Sequence, residues 1–420
     1  MTALEKLYPL AQEVYGQNGV DTEAVLAKLA EIPLSLHAWQ GDDVVGFDNP
    51  SHALTGGCQV TGNYPGRART ADELRADLDQ ALNLLPGKKL RVCLQAHEVD
   101  CLKPGQDRDS FTIENFANWL DWAADRKLGL DIAPVYYSHP KLDMGLSLSH
   151  PDADIRKFWI DHGKACRRIA AAFGERLGTP SVNNVWVPDG FKDIPADRRA
   201  PRERLLESLD ATFEEQLPEQ YILDAVESKL FGIGVESYTT GSHDFYLTYA
   251  ARHNKLICLD TGHFHPTESI ADKLSAICSQ NGRILLHISR GVRWDSDHVT
   301  LLDDNLLDLA RESVRNYNGR NIFFTLDYFD ASINRIAAWV VGARAWQKAL
   351  LIALLEPQGL AQDETKGDFT ARMARREAFK ALPWGAVWAQ YCAQNNLPQD
   401  NEVMAPIRQY EKDVLLQRGL

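Results

Sequence analysis

Four places in the chain put ionisable side chains directly behind short apolar runs. Glu227-Ser228-Lys229 follows YILDAV, Asp260-Thr261-Gly262-His263 follows KLICL, and Asp327 follows NIFFTL. His287 follows RILL, with Asp295 and Asp297 eight and ten residues further on. Any one of these carboxylates alone reads as a helix cap or an ion-pair partner. Seven groups converging on one place need another account. Five carboxylates confined together either take up protons or recruit cations, and two divalent ions with Lys229 would balance their charge. Oxygen and imidazole donors, with nearby Cys258 left out of the ligand set, favour Mn²⁺, Co²⁺ or Mg²⁺ and tolerate Zn²⁺.

Spacing sorts the ligands. Asp295 and Asp297, two apart in an extended segment, face one way and can hold one ion together with His263. Glu227, Asp260, His287 and Asp327 each stand on a separate strand and form a tetrad for a second ion. Asp260 and His263 are three apart, which brings both ions within reach of one substrate.

Such convergence requires elements that end side by side. Eight apolar, β-branched runs recur between helical stretches, at 33–39, 89–99, 128–138, 180–187, 221–229, 255–264, 283–289 and 321–330, each after a Gly, Pro, Lys or Arg turn signal. Eight strands alternating with helices predict an α/β fold, a closed (β/α)8 TIM barrel, whose active site forms at the C-terminal ends of the strands. A doubly wound open sheet is the alternative, but neither G-x-G-x-x-G nor a P-loop is present. Ser149 with Pro151, Pro201 and Pro266 mark helix starts. Helical pattern continues past the eighth strand. The expected division is therefore 1–330, a catalytic barrel with N-terminal helices, and 331–420, a C-terminal helical extension packing on the barrel and on neighbouring subunits. Trp339, Trp346, Trp384 and Trp388 supply its buried face.

Composition narrows the function classes. The 420 residues are 45% hydrophobic and 25% charged, as in an ordinary globular protein, and the net charge of -13 argues against nucleic acid and against an anionic membrane surface. Seven cysteines, Cys58, Cys93, Cys101, Cys166, Cys258, Cys278 and Cys392, lack C-x-x-C spacing and are odd in number, so no disulfide framework is expected. MTALEKLYPLAQEV has no secretory pattern, and Arg344, Gln347 and Lys348 interrupt the apolar stretch 336–355. The expected compartment is a reducing cytoplasm.

At this point the residues meet a family. VESKLFGIG, LDTGHFHPTE, LLHISR, VRWDSDHV and LDYFDASINRI, with HAWQGDDVVGF and TGNYPGRAR near the N-terminus, strongly resemble L-rhamnose isomerase of the enterobacterial kind, within the xylose isomerase-like barrels, from end to end. The resemblance implies interconversion of L-rhamnose and L-rhamnulose in a homotetramer, with two divalent ions and Mn²⁺ preferred. It implies that Glu227, Asp260, His287 and Asp327 hold the ion that anchors the sugar. His263, Asp295 and Asp297 would hold the mobile catalytic one. Asp327, Lys229 and Asp297 are the implied catalytic residues.

Moving a carbonyl from C1 to C2 transfers a hydrogen between carbons and a proton between oxygens. Cations on those oxygens polarise the carbonyl and stabilise the developing alkoxide, aided by Lys229. A hydride shift and an enediol route both remain open. A metal-dependent hydrolase or endonuclease on the same barrel, and a non-catalytic sugar binder, are the competing readings. Smaller expectations concern the pocket wall. Trp186, at the end of the fourth run, is expected against the sugar. In the second run relatives show an asparagine-leucine-histidine-alanine sequence where this chain has CLQAHEVD, so His97, two beyond Gln95, is expected to supply the imidazole. His37, Phe191 and Tyr136 are further pocket candidates. The glycine-rich loop within 40–70 is long enough for a lid.

Overall fold

The computed structural model describes residues 3–48, 60–229, 237–292 and 297–418. Eight strands, β1 (Leu34–His37), β2 (Leu90–Gln95), β3 (Gly129–Ala133), β4 (Ser181–Trp186), β5 (Ile222–Glu227), β6 (Leu256–Asp260), β7 (Arg283–Ile288) and β8 (Ile322–Leu326), pair in parallel in chain order and close between β8 and β1. This is the (β/α)8 barrel expected from the alternation of runs. All eight expected runs contain a strand, but several run past it: β2 ends at Gln95 instead of Val99, and β6 at Asp260 instead of Phe264. The surplus residues leave the ladder at the C-terminal end and build the loops of the mouth.

Alternation sets the interior. Val182, Leu223, Ala225, Leu256, Cys258 and Leu285 point inward and pack with Phe323 into a cluster separate from the larger core between strands and helices. Beneath them Arg91 and Asp131 pair at 2.6 Å, and Ser35 donates to Asp131 at 2.7 Å.

Helix ends differ in detail from expectation. The helix Ala153–Leu177 is capped by Asp152, which accepts from Asp154 N, and closes on Gly178 at φ +68°. Ser149 is not the cap. Its hydroxyl and that of Ser147 both donate to buried Asp189, tying the preceding loop to the end of β4. Pro201 lies in the first turn of Arg199–Thr212, whereas Pro266 precedes Ile270–Cys278 by four residues because Ser269, in extended geometry, is the N-cap.

After β8, Asn334 caps the helix Arg335–Leu354 by accepting from Ala337 N. This helix packs on Asp304–Asn316 and Ala71–Leu82 and so completes the outer ring. Among the described residues it alone is long and apolar enough to cross a membrane, and 89% of that apolar window is buried inside the fold. Trp339 and Trp346 are fully buried in it. Further on, Trp384–Gln394 packs on the N-terminal helices Ala3–Lys6 and Tyr8–Gln17. The described ends of the 40–70 loop are fastened: Asp43 accepts two bonds of 2.7 Å from Arg335, and Tyr64 N donates to Ala331 O at 2.7 Å. Residues 49–59, where a lid would lie, fall outside the described residues, as does Cys58.

Candidate metal centre at the barrel mouth

Sequential pairing is what gathers the acids. Glu227 closes β5, Asp260 closes β6 opposite His287 in the β6–β7 register, and Asp327 is the first residue after β8. His287 Nδ1 lies 2.9 Å from Asp327 Oδ2, 3.4 Å from Glu227 Oε2 and 3.6 Å from Asp260 Oδ2. Ligand atoms of these four residues all lie within 4.8 Å of one another. Asp260, His263 and Asp297 form a second such group, with His263 Nε2 3.9 Å from Asp297 Oδ2. Asp260 therefore belongs to both clusters, where spacing alone assigned it to one. Asp295, expected beside Asp297, lies outside the described residues.

A cation suits this arrangement. Glu227, Asp260 and His287 are buried, yet Glu227 Oε1, Asp260 Oδ2 and both ring nitrogens of His287 make no directed hydrogen bond among the described residues. Buried polar atoms left in that state are costly unless something else satisfies them. Burial raises the Glu227 pKa, but His287 and His263 outweigh it and hold the group below the usual carboxylate range. Asp327 goes the other way, raised by burial and by Asp260 and Glu227 against the pull of His287. Burial lowers His287, while Cys258, Glu227 and Asp327 push it well up. Three carboxylates share a single imidazole in the tetrad, so negative charge outnumbers positive there.

A further shell of donors orients the acids, and sequence reasoning missed it. Trp39 Nε1 donates to Asp327 Oδ1 at 3.0 Å, and Asn184 Nδ2 donates to Glu227 Oε2. Gly262 N donates to Asp260 Oδ1 at 2.6 Å, and the His263 ring meets Ser228 O at 3.2 Å. A Cβ at Gly262 would fall 2.3 Å from Asp297 Oδ1, so a larger residue there would displace that carboxylate. Asn184 was findable, since it shares the inward face of β4 with Trp186; Trp39 is 288 residues from its partner and carried no local signal.

An aromatic wall flanks the acids. Lys229 Nζ sits 5.6 Å from the Trp186 ring centroid, Tyr137 meets Trp186 edge-on at 5.7 Å, and His97 meets Tyr137 at 6.0 Å. Lys229 is buried and, with His263, Arg198, Arg202 and Tyr238, lines a recess opening from the mouth. Tyr136 does not join this wall. Successive residues leaving a strand point oppositely, and its ring packs on Trp159 and His162 of the helix Ala153–Leu177. Tyr137 takes its expected place. Phe191 stacks on Tyr238 where Gly190–Phe191 pairs antiparallel with Tyr238–Thr239. His37 is a core residue, packed between Trp39 and Tyr328 and lowered to about 4 by burial. His97 is fully buried, with both ring nitrogens lacking a hydrogen bond among the described residues and its pKa lowered to about 3 by burial.

A closed parallel barrel whose mouth overlaps two carboxylate-imidazole clusters beside a lysine and an aromatic wall defines a class: barrel enzymes with a candidate two-cation centre. The chain belongs to the L-rhamnose isomerase family and is an aldose-ketose isomerase. The family model described as L-rhamnose isomerase (RhaA) matches residues 2–418. L-rhamnose isomerases from Citrobacter koseri and Salmonella typhi are each 54% identical over 419 residues, covering 100% of both chains. Among solved structures, a putative sugar phosphate isomerase/epimerase from Anabaena variabilis overlays with a TM-score of 0.47 at 10% identity, covering 75% of this chain and 96% of that one.

Proposed function

We propose that the protein interconverts L-rhamnose and L-rhamnulose at the barrel mouth, with two divalent ions, Mn²⁺ foremost, in a cytoplasmic homotetramer serving rhamnose metabolism. The observation that carries the reading is the buried tetrad Glu227, Asp260, His287 and Asp327 overlapping the Asp260, His263, Asp297 group. The tetrad would hold the ion that anchors the sugar; His263 and Asp297, with Asp260 and Asp295, would hold the second. Bound there, the ions supply Lewis-acid polarisation of the carbonyl and stabilise negative charge on oxygen.

The remaining work falls to the side chains. Lys229 donates to a sugar oxygen and opposes the negative charge that develops on it. Asp297 and Asp327, as acceptors, receive hydroxyl protons and orient O1 and O2. Trp186 and Tyr137 offer apolar faces to the sugar's carbon skeleton, shielding the reacting carbons from water, and His97 closes that wall. C2 loses a hydrogen to C1 while the O2 proton passes to O1.

A hydrolase or endonuclease reading on the same barrel is not favoured, because the family is one of isomerases. Stripping metal with a chelator should abolish rhamnose conversion and Mn²⁺ should restore it. Activity untouched by chelation would overturn the proposal. Deuterium at C2 retained in the product supports a hydride shift, and complete washout supports the enediol route.

A further inference from the structure

Cys258 stands two residues before Asp260 on β6 and therefore faces the barrel interior one layer beneath the mouth. Its thiol is fully buried among Leu223, Ala225, Leu256 and Leu285, and the β5–β6 register sets it opposite Glu227. The sulfur lies within 4.8 Å of a Glu227 carboxylate oxygen and of a His287 ring nitrogen. Glu227 Oε1 and both His287 nitrogens are buried without a directed hydrogen bond among the described residues. His263 Nδ1 lies 3.2 Å from the former and Asp327 Oδ2 2.9 Å from His287 Nδ1, so both groups sit between the mouth and the thiol and are within reach of either. Carboxylate, imidazole and thiol together make a donor set that soft divalent cations favour.

We propose that Glu227, Cys258 and His287 form a distinct, thiol-containing site for a soft, thiophilic divalent cation, directly beneath the position that the oxygen-rich tetrad offers to a hard one. The proposal rests on the reading of Glu227 and His287 as metal ligands. Because both positions draw on those two side chains, they exclude one another. Hard ions such as Mn²⁺ and Mg²⁺ gain little from sulfur and stay with Asp260 and Asp327. A soft ion gains a sulfur bond and is drawn one layer down. On binding, the Cys258 S–H bond breaks, its proton leaves to solvent, and a sulfur lone pair forms the bond to the cation, with no change of oxidation state. The consequence is a built-in sensitivity: a soft cation displaces the hard one and turns Glu227 and His287 away from the substrate side.

The test titrates Cd²⁺ into the chelator-stripped full-length protein and into Cys258→Ala, following the ultraviolet sulfur-to-cadmium charge-transfer band. Six other cysteines are common to both proteins, so the difference isolates Cys258. The wild type should develop a band increment that the variant lacks, with Cd²⁺ held at least about tenfold more weakly by the variant. Saturating Mn²⁺ should raise the Cd²⁺ concentration needed to produce that increment. Identical bands and affinities overturn the proposal. Should Cys258→Ala fail to fold by circular dichroism, anomalous diffraction from Cd²⁺-soaked wild-type crystals decides: a peak bonded to Cys258 Sγ supports the site, and a peak held by the tetrad without sulfur overturns it. If Mn²⁺ binds while Cd²⁺ gives no Cys258-dependent band, this inference alone fails; if neither ion binds at the mouth, the functional reading fails with it.

Discussion

The floor and the mouth of the barrel both bury charge, and they treat it in opposite ways. At the floor Asp131 is fully subscribed: Oδ2 accepts from Ser35 Oγ at 2.7 Å and Arg91 Nε at 3.0 Å, and Oδ1 accepts from Arg91 Nη2 at 2.6 Å and Val182 N at 2.8 Å. Arg91 spends its remaining donors on Thr179, Leu130 O and Pro180 O. Charge and hydrogen bonding close within the chain. At the mouth three carboxylates crowd one imidazole, and Glu227, Asp260 and His287 keep buried atoms without directed partners. A barrel able to satisfy one buried carboxylate so completely leaves the others open at the C-terminal ends of its strands. Incompleteness at the mouth is thus a property of the site and not a general looseness of the interior.

The contrast can be broken from either side. Glu227→Gln replaces the charged oxygen of a proposed ligand with a neutral one and should lower kcat by about 10²–10⁴-fold with little loss of folding stability, read by steady-state kinetics beside thermal unfolding. At the floor the reverse is expected: Arg91→Met strands Asp131 and should cost about 3–5 kcal/mol in denaturant unfolding, while turnover per folded molecule stays near wild type. A floor variant that is stable but inactive would erase the distinction. Between these extremes, Trp39→Phe keeps the ring but loses the bond to Asp327, and should weaken Mn²⁺ binding or turnover about 10–100-fold.

The smallest effect concerns pH. His162 is buried, accepts from Val135 N at 2.9 Å, and is lowered from 6.5 to about 3, burial being the largest cause. The unfolded chain binds its proton near 6.5 and the fold does not. His162 therefore contributes stability that is complete above about pH 6.5 and lost as pH falls towards 3, with a slope of up to about 1.4 kcal/mol per unit. His97, lowered to about 3, adds in the same direction. His162→Gln should flatten the decline in unfolding free energy between pH 6.5 and 5; an unchanged slope would show that the histidine is not held neutral.

Much of this was legible in the amino-acid sequence, for a physical reason. A parallel barrel places successive strand ends side by side, so Glu227, Asp260, His287 and Asp327 could be recognised as neighbours from their common place behind apolar runs. Contacts that depend on loops were not legible. Trp39 reaches Asp327 across the β1–β8 closure, Asp260 turned out to serve both clusters, and the choice of Tyr137 over Tyr136 turned on where β3 ended. Cys258 was weighed and left out of the ligand set; the two-residue period alone places it under Asp260. The overlong strand expectations have the same origin, because apolar character continues into the loops that wall the pocket.

The central claim is that the mouth holds two divalent cations. Anomalous diffraction from crystals grown with Mn²⁺ tests it most directly. Two peaks per chain are expected, one among Glu227, Asp260, His287 and Asp327 and the other beside His263 and Asp297. Fully active crystals with no peak at either position would contradict it.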